Sequence, residues 1–177
     1  MSTDLMIDIE TLGKNNNSHV LSVGMVWWDK SHPDEEAISC PILIPSLVQP
    51  KSIIDSDTVK WWMQQERDAQ DILIGNHSRE SNELVAGKIK SAAESARRIW
   101  AKDPDFDCVI LSNFIHNYLG AEWSWPFWKN RSVRTVMDIV PDCKDLVMDG
   151  TAHNALADAQ YQTKQMQHAF KWLNTRT

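Results

Sequence analysis

Residues Leu5 to Gly13 read LMIDIETLG, an apolar run interrupted by two carboxylates. Side chains alternate between the faces of a strand, so Leu5, Ile7 and Ile9 point one way while Asp8 and Glu10 share the other. Two like charges placed side by side, where a buried strand should carry apolar groups, demand an explanation. A second apolar run, Val20 to Trp28 (VLSVGMVWW), is joined to the first by the polar loop GKNNNSH, and a third, Ile38 to Ile44, follows the charged turn DKSHPDEE. Strand-like runs linked by polar turns predict a β-meander.

Helices enter after the meander. Ser56 or Asp57 is placed to cap a helix carrying TVKWWMQQER, and Ser81 to cap another through NELVAGKIKSAAES. Arg97 to Ala101 (RRIWA) is a short strand candidate. The stretch DPDFDCVILSNFIHNYLG reads two ways. Its CVIL core favours a strand, while Val109, Phe114 or Asn113, and Asn117 keep open an amphipathic helix ended by Gly120. From near His153 onward, Leu156, Ala159, Thr163, Met166, Phe170 and Leu173 recur at helical spacing and predict a long C-terminal helix. Strands first, then helices alternating with strands, imply one α/β domain over residues 1–177, with a mixed sheet.

The 177 residues, 42% hydrophobic and 24% charged, have globular composition, and no apolar run is long enough to span a bilayer. No membrane partner is expected. The start, MSTDLMIDIE, lacks the basic and apolar regions of a secretory signal. Cys40, Cys108 and Cys143 are odd in number and show no CxxC spacing, which favours reduced thiols and a cytoplasmic location. A net charge of −6 argues against a broad basic nucleic-acid surface unless bound cations supply positive charge locally.

Two later acids give the opening pair a context: Asp107 in DFDCVIL and Asp158 in AHNALADAQ. Taken singly, Asp107 reads as a helix cap, Asp158 as an exposed helix acid and His153 as an ordinary residue at a helix start. Taken together, four carboxylates from separate elements can converge. Such a cluster repels itself unless cations neutralise it, and hard oxygen donors suit Mg²⁺ or Mn²⁺ rather than zinc. Two ions roughly 3.5 to 4 Å apart can clamp the attacking and leaving oxygens of a phosphoryl displacement. His153, expected at the start of the helix that carries Asp158, has an imidazole with an unperturbed pKa of about 6.5. It is suited to take a proton from the attacking water.

The order and spacing of DIETLG, the pair Phe106 and Asp107, and HNALADA resemble the three motifs of the DnaQ-like 3′→5′ exonucleases, the DEDDh group of the ribonuclease H-like superfamily. WAKDPDFDCVIL, WPFWKNRSVRT and TVKWWMQQ extend the resemblance over nearly the whole chain, towards the branch that includes phage exonuclease A and mycobacterial ribonuclease AS. The resemblance implies a ribonuclease H-like fold, a mixed sheet of five-stranded type flanked by helices. It implies that Asp8, Glu10, Asp107 and Asp158 bind two Mg²⁺ or Mn²⁺ ions and that His153 activates water. It also implies that Thr11 lies near the terminal 3′-hydroxyl, that Leu12 wedges against the last base, that RRIWA is a strand and that Asp107 opens a helix. In one place the chain departs from the pattern. Relatives often have Gly and Asn between the Trp and the FD pair, where this chain has Ala101, Lys102, Asp103 and Pro104, and Asp103 is left out of the ligand set.

WSWPFWKNRSVRT combines Trp123, Trp125, Trp128 and Phe127 with Lys129, Arg131 and Arg134. Arg131 and Arg134 are candidates for gripping phosphate, because a fixed guanidinium fork suits it. The aromatics either stack on bases or fill the core or a subunit interface. Nine tryptophans and the habits of the resembling branch point to a homodimer. Trp61 and Trp62 cannot both face one side of a helix; one is expected to be buried, and Trp62 is assigned to the substrate cleft. The expected activity is removal of nucleoside 5′-monophosphates from the 3′ end of single-stranded DNA or RNA. Two rivals are a ribonuclease H-type endonuclease and a non-catalytic nucleic-acid-binding protein on the same fold. The DIE doublet and the HNALAD spacing count against the first, and the five filled catalytic positions against the second.

Overall fold

A computed structural model describes residues 3–120, 124–148 and 150–176; the expectation attached to Trp123 lies outside the described residues. The meander forms as expected. β1 (Asp4–Thr11) pairs antiparallel with β2 (Val20–Trp28), and β2 with β3 (Ile38–Ser39). β3 is shorter than the run Ile38 to Ile44, which contains Pro41 and is followed by Pro45. A proline has no N–H to give the ladder, and pairing resumes only as an isolated bridge between Val23 and Leu43.

β4 (Arg98–Ala101) and β5 (Asn130–Ser132) add in parallel on the other side of β1, giving the order β3-β2-β1-β4-β5. β1 is therefore the central strand. This is the mixed five-stranded α/β sheet of a ribonuclease H-like fold.

α1 (Ser56–Met63) stops short of the expected TVKWWMQQER, and a separate helix, α2 (Arg67–Ile74), follows it. Gln64 and Gln65 turn their N–H groups to the carbonyls of Trp61 and Trp62, a tightened last turn that ends α1. Asp55, rather than Ser56 or Asp57, caps α1 by accepting the N–H of Asp57. Ser81 caps α3 (Asn82–Ser95) as expected, through the N–H of Leu84. Asp107 opens α4 (Asp107–Leu119), which stops at Gly120 in the left-handed region, φ 63°. α5 (Val133–Ile139) follows β5, and α6 (Ala155–Asn174) closes the chain.

Two apolar layers sandwich the sheet. Leu5, Ile7 and Ile9 pack with Val85, Ile89, Ile110 and Leu111 of α3 and α4. Met6, Val26, Trp28 and Trp100 pack with Val133, Ala159 and Met166 of α5 and α6. Asp8 and Glu10 follow Met6 along the second face, so they meet the start of α6. The approach is close because Asp8 lies opposite Gly24. A Cβ at Gly24 would come within 2.1 Å of the carbonyl oxygen of Ala155. Among the described residues no helix is long and apolar enough to cross a membrane.

Candidate active site

Asp8, Glu10 and Asp158 each offer a carboxylate oxygen, and these atoms all lie within 4.8 Å of one another. β1 supplies the first two at its C-terminal half; α6 brings the third in its first turn. Asn154 makes this possible by capping α6, its side chain accepting the N–H of Ala157. Gln162, one turn beyond Asp158, donates to Asp8 at 2.6 Å.

Burial and mutual repulsion hold these acids towards the protonated form. Asp8 is pushed well up, first by desolvation and then by the charges of Asp107, Glu10 and Asp158. Glu10 is pushed up to about 8 by desolvation, then by Asp158 and Asp107. Asp107, only 5% exposed, rises to about 7 through desolvation. Hydrogen bonds from the backbone N–H groups of Asp103, Asp107 and Ile9 oppose that rise. Asp158 is also raised by desolvation, against the charge of His153, the N–H groups of His153 and Asn154, and the charge of Lys102. Asp107 thus borders the group of three without closing it to four.

An oxygen-only donor set with this excess of negative charge fits hard divalent cations. The buried Oε1 of Gln162, beside Asp8, has no hydrogen-bond partner among the described residues, a further polar group for a cation or its water.

His153 differs from its expected place. It precedes α6 rather than opening it, and its φ of 63° puts a non-glycine residue in the left-handed region. That conformation is uncommon, and such outliers concentrate at functional sites. Its ring meets the Trp61 ring edge-on at 4.7 Å between centroids, with Trp62 at 6.3 Å.

A cleft of about 200 Å³ opens beside Glu10, lined by Thr11, Lys14, Trp61, Trp62 and Phe106. Thr11 is buried and its hydroxyl donates to the carbonyl of Gly13 at 2.7 Å, so that hydrogen is used within the turn. Leu12 is partly buried against Leu21, Trp62 and Ala69.

Three residues expected to contact substrate make bonds within the protein. Trp62 is 1% exposed and its Nε1–H donates to the Thr11 carbonyl at 2.9 Å, so its indole anchors α1 to β1. It still borders the cleft, but it presents no open face for stacking. The indole available to solvent is that of Trp61, 40% exposed. Arg134 closes on Asp103 in a two-pronged ion pair, and Arg131 donates to the carbonyls of Trp128 and Asn130, both at 2.7 Å. Phe106, Lys14, Lys102 and Gln162 were missed at the site. Only Gln162 carries a local signal, since a residue four positions after Asp158 shares its helix face.

The family model that matches the chain defines its class, an enzyme of the 3′→5′ exonuclease type, and the fold and carboxylate cluster accord with it. The model of the 3′–5′ exoribonuclease Rv2179c-like domain matches residues 3–170, and the chain belongs to that family. Among solved structures, the zinc-bound complex of E. coli exonuclease I with single-stranded DNA is similar in fold. Its TM-score is 0.69 at 15% identity, over 99% of this chain and 43% of that one. E. coli exonuclease I with a dA16 oligonucleotide gives 0.67 at 16% identity, over 99% and 43%. The chain spans less than half the length of these structures, and at such identities the likeness concerns the fold. No curated protein matches the chain.

Proposed function

We propose that the chain removes nucleoside 5′-monophosphates from the free 3′ end of single-stranded nucleic acid. The observation that carries this reading is the convergence of Asp8, Glu10 and Asp158 within 4.8 Å, beside Asp107 and His153. These four carboxylates would hold two Mg²⁺ or Mn²⁺ ions. When bound, such ions supply Lewis acidity to the attacking and leaving oxygens of the phosphodiester.

His153 takes the proton of the attacking water. Its backbone is held by the Asp158 carboxyl and its ring by the edge of Trp61, which together limit where the imidazole points. Trp61 and Phe106 offer the terminal base apolar walls in the cleft, and Thr11 and Leu12 form the turn beneath it. Lys14 at the cleft and Lys102 near Asp158 give positive charge to a phosphate chain where the protein as a whole has little. RNA is the substrate to test first, since the family is described by exoribonuclease activity, with DNA alongside because the exonuclease I structures hold it.

The test is a gel time course on matched 5′-labelled single strands of RNA and DNA, with and without Mn²⁺. Stepwise shortening from the 3′ end that requires Mn²⁺, with nucleoside 5′-monophosphates as products, is the expected result. Internal cuts would indicate an endonuclease, and intact strands of both kinds at every Mn²⁺ concentration would refute turnover.

A further inference from the structure

The guanidinium of Arg134, a natural grip for phosphate, is committed within the protein. Its Nε donates to Oδ1 of Asp103 at 2.8 Å and its Nη2 to Oδ2 at 2.5 Å. The backbone N–H of Arg134 also reaches the carbonyl of Lys102 at 3.5 Å. α5 is thereby fastened to the loop between β4 and α4. That loop aims an acid of the site. The Asp103 carbonyl accepts the N–H of Phe106 at 2.8 Å and of Asp107 at 3.1 Å, while the Asp103 N–H serves the Asp107 carboxyl.

We infer that Arg134 is a positioning residue, which through Asp103 fixes the loop that turns the Asp107 carboxyl towards Asp8 and Glu10. This rests on the cation site proposed above. A bidentate fork fixes orientation as well as distance, so one pair is enough to set the loop's angle. The two side chains are 57% and 48% exposed, and an exposed ion pair adds little to global stability. The value of the clamp therefore lies in where it holds the loop. It also offsets the charge of Asp103, which faces Asp107, more closely than Lys102 does alone.

The experiment compares the full chain with Arg134→Ala, Asp103→Asn and the double variant. Mn²⁺ binding is followed by electron paramagnetic resonance of the free ion, and steady-state kinetics are measured on a single-stranded oligonucleotide. Glu10→Gln serves as the reference for the site, and thermal melts check folding. Each single variant should weaken Mn²⁺ binding about tenfold, the low end for partners that orient metal ligands, with KM nearly unchanged. The double variant should be no worse than either single, because both remove the same clamp. A raised KM with intact Mn²⁺ binding would make Arg134 a phosphate contact and overturn the inference. So would additive losses, or tighter Mn²⁺ binding in Arg134→Ala, which would show that the pair acts by charge alone. If Glu10→Gln also leaves Mn²⁺ binding unchanged, the cation site itself fails, and the clamp's role with it.

Discussion

On one face of β1, Leu5, Ile7 and Ile9 are packed against α3 and α4 and closed to solvent. On the other face Met6 begins in the same way, and then Asp8 and Glu10 replace apolar groups where the strand meets α6. Backbone, pairing partners and depth in the sheet are shared, so the contrast isolates the side chains. The first face gains by burying carbon. The second spends burial on charge, raising Glu10 to about 8, and a folded chain keeps such an arrangement at a cost in stability. Rigidity explains the choice of place: the central strand, held on both sides, is where two ligands are fixed most firmly.

Substitutions on the two faces should separate activity from stability. Asp8→Ala should abolish turnover in the oligonucleotide assay and leave the melting temperature equal or higher, since it removes a desolvated carboxyl repelled by its neighbours. Ile7→Ala should do the reverse, costing about 2–5 kcal/mol in denaturant unfolding, as large-to-small core changes do. Unfolding by the first or no loss from the second would erase the contrast. His153→Ala should lower the rate at least ~100-fold, the low end for general-base catalysis, with Mn²⁺ binding retained. An unchanged rate would remove His153 from the chemistry.

The neighbouring tryptophans repeat the contrast on a smaller scale. Trp62→Ala should destabilise the fold, because its indole is buried and bonded to Thr11. Trp61→Ala should leave the fold intact, raise KM roughly tenfold, as loss of a stacking contact of about 1–3 kcal/mol allows, and lower kcat because the His153 ring loses its support. Equal effects from the two would mean that neither has a distinct role.

The acids themselves should give a pH slope. Glu10 rises from its ordinary 4.5 to about 8 through desolvation and then the charges of Asp158 and Asp107. The folded chain therefore binds more protons than the unfolded chain across that window, and stability falls as pH rises through it. Asp107, raised from 3.8 to about 7 by desolvation, acts in the same sense. Without metal, the melting temperature should drop between about pH 5 and pH 8, and saturating Mn²⁺ should flatten or reverse the slope because it favours ionised ligands. A metal-free melting temperature that climbs over this range would contradict the burial of these acids.

How much of this was legible depended on range along the chain. The alternation in LMIDIETLG, the cap at Ser81 and the stop at Gly120 are local signals, and each was readable. The placing of Asp8, Glu10, Asp107, Asp158 and His153 in one neighbourhood came from motif order, not from any property of single residues. Less local features escaped. β5 has three residues, too few to show a period, and α5 begins directly after it. Helical spacing shows that Trp61 and Trp62 diverge, but only the position of β1 decides which is buried. Arg134 finds Asp103 from 31 positions away, a partner that no sequence pattern announces. The left-handed backbone at His153 was equally hidden, since histidine carries no turn signature of its own.

Crystals of the chain grown with Mn²⁺ would test the cation cradle most directly, through the anomalous scattering of the ion. The expected result is two peaks bounded by Asp8, Glu10, Asp107 and Asp158, lost together in Asp8→Ala. Density elsewhere on the molecule, or none at saturating Mn²⁺, would contradict the reading of β1 as the strand that holds the metals.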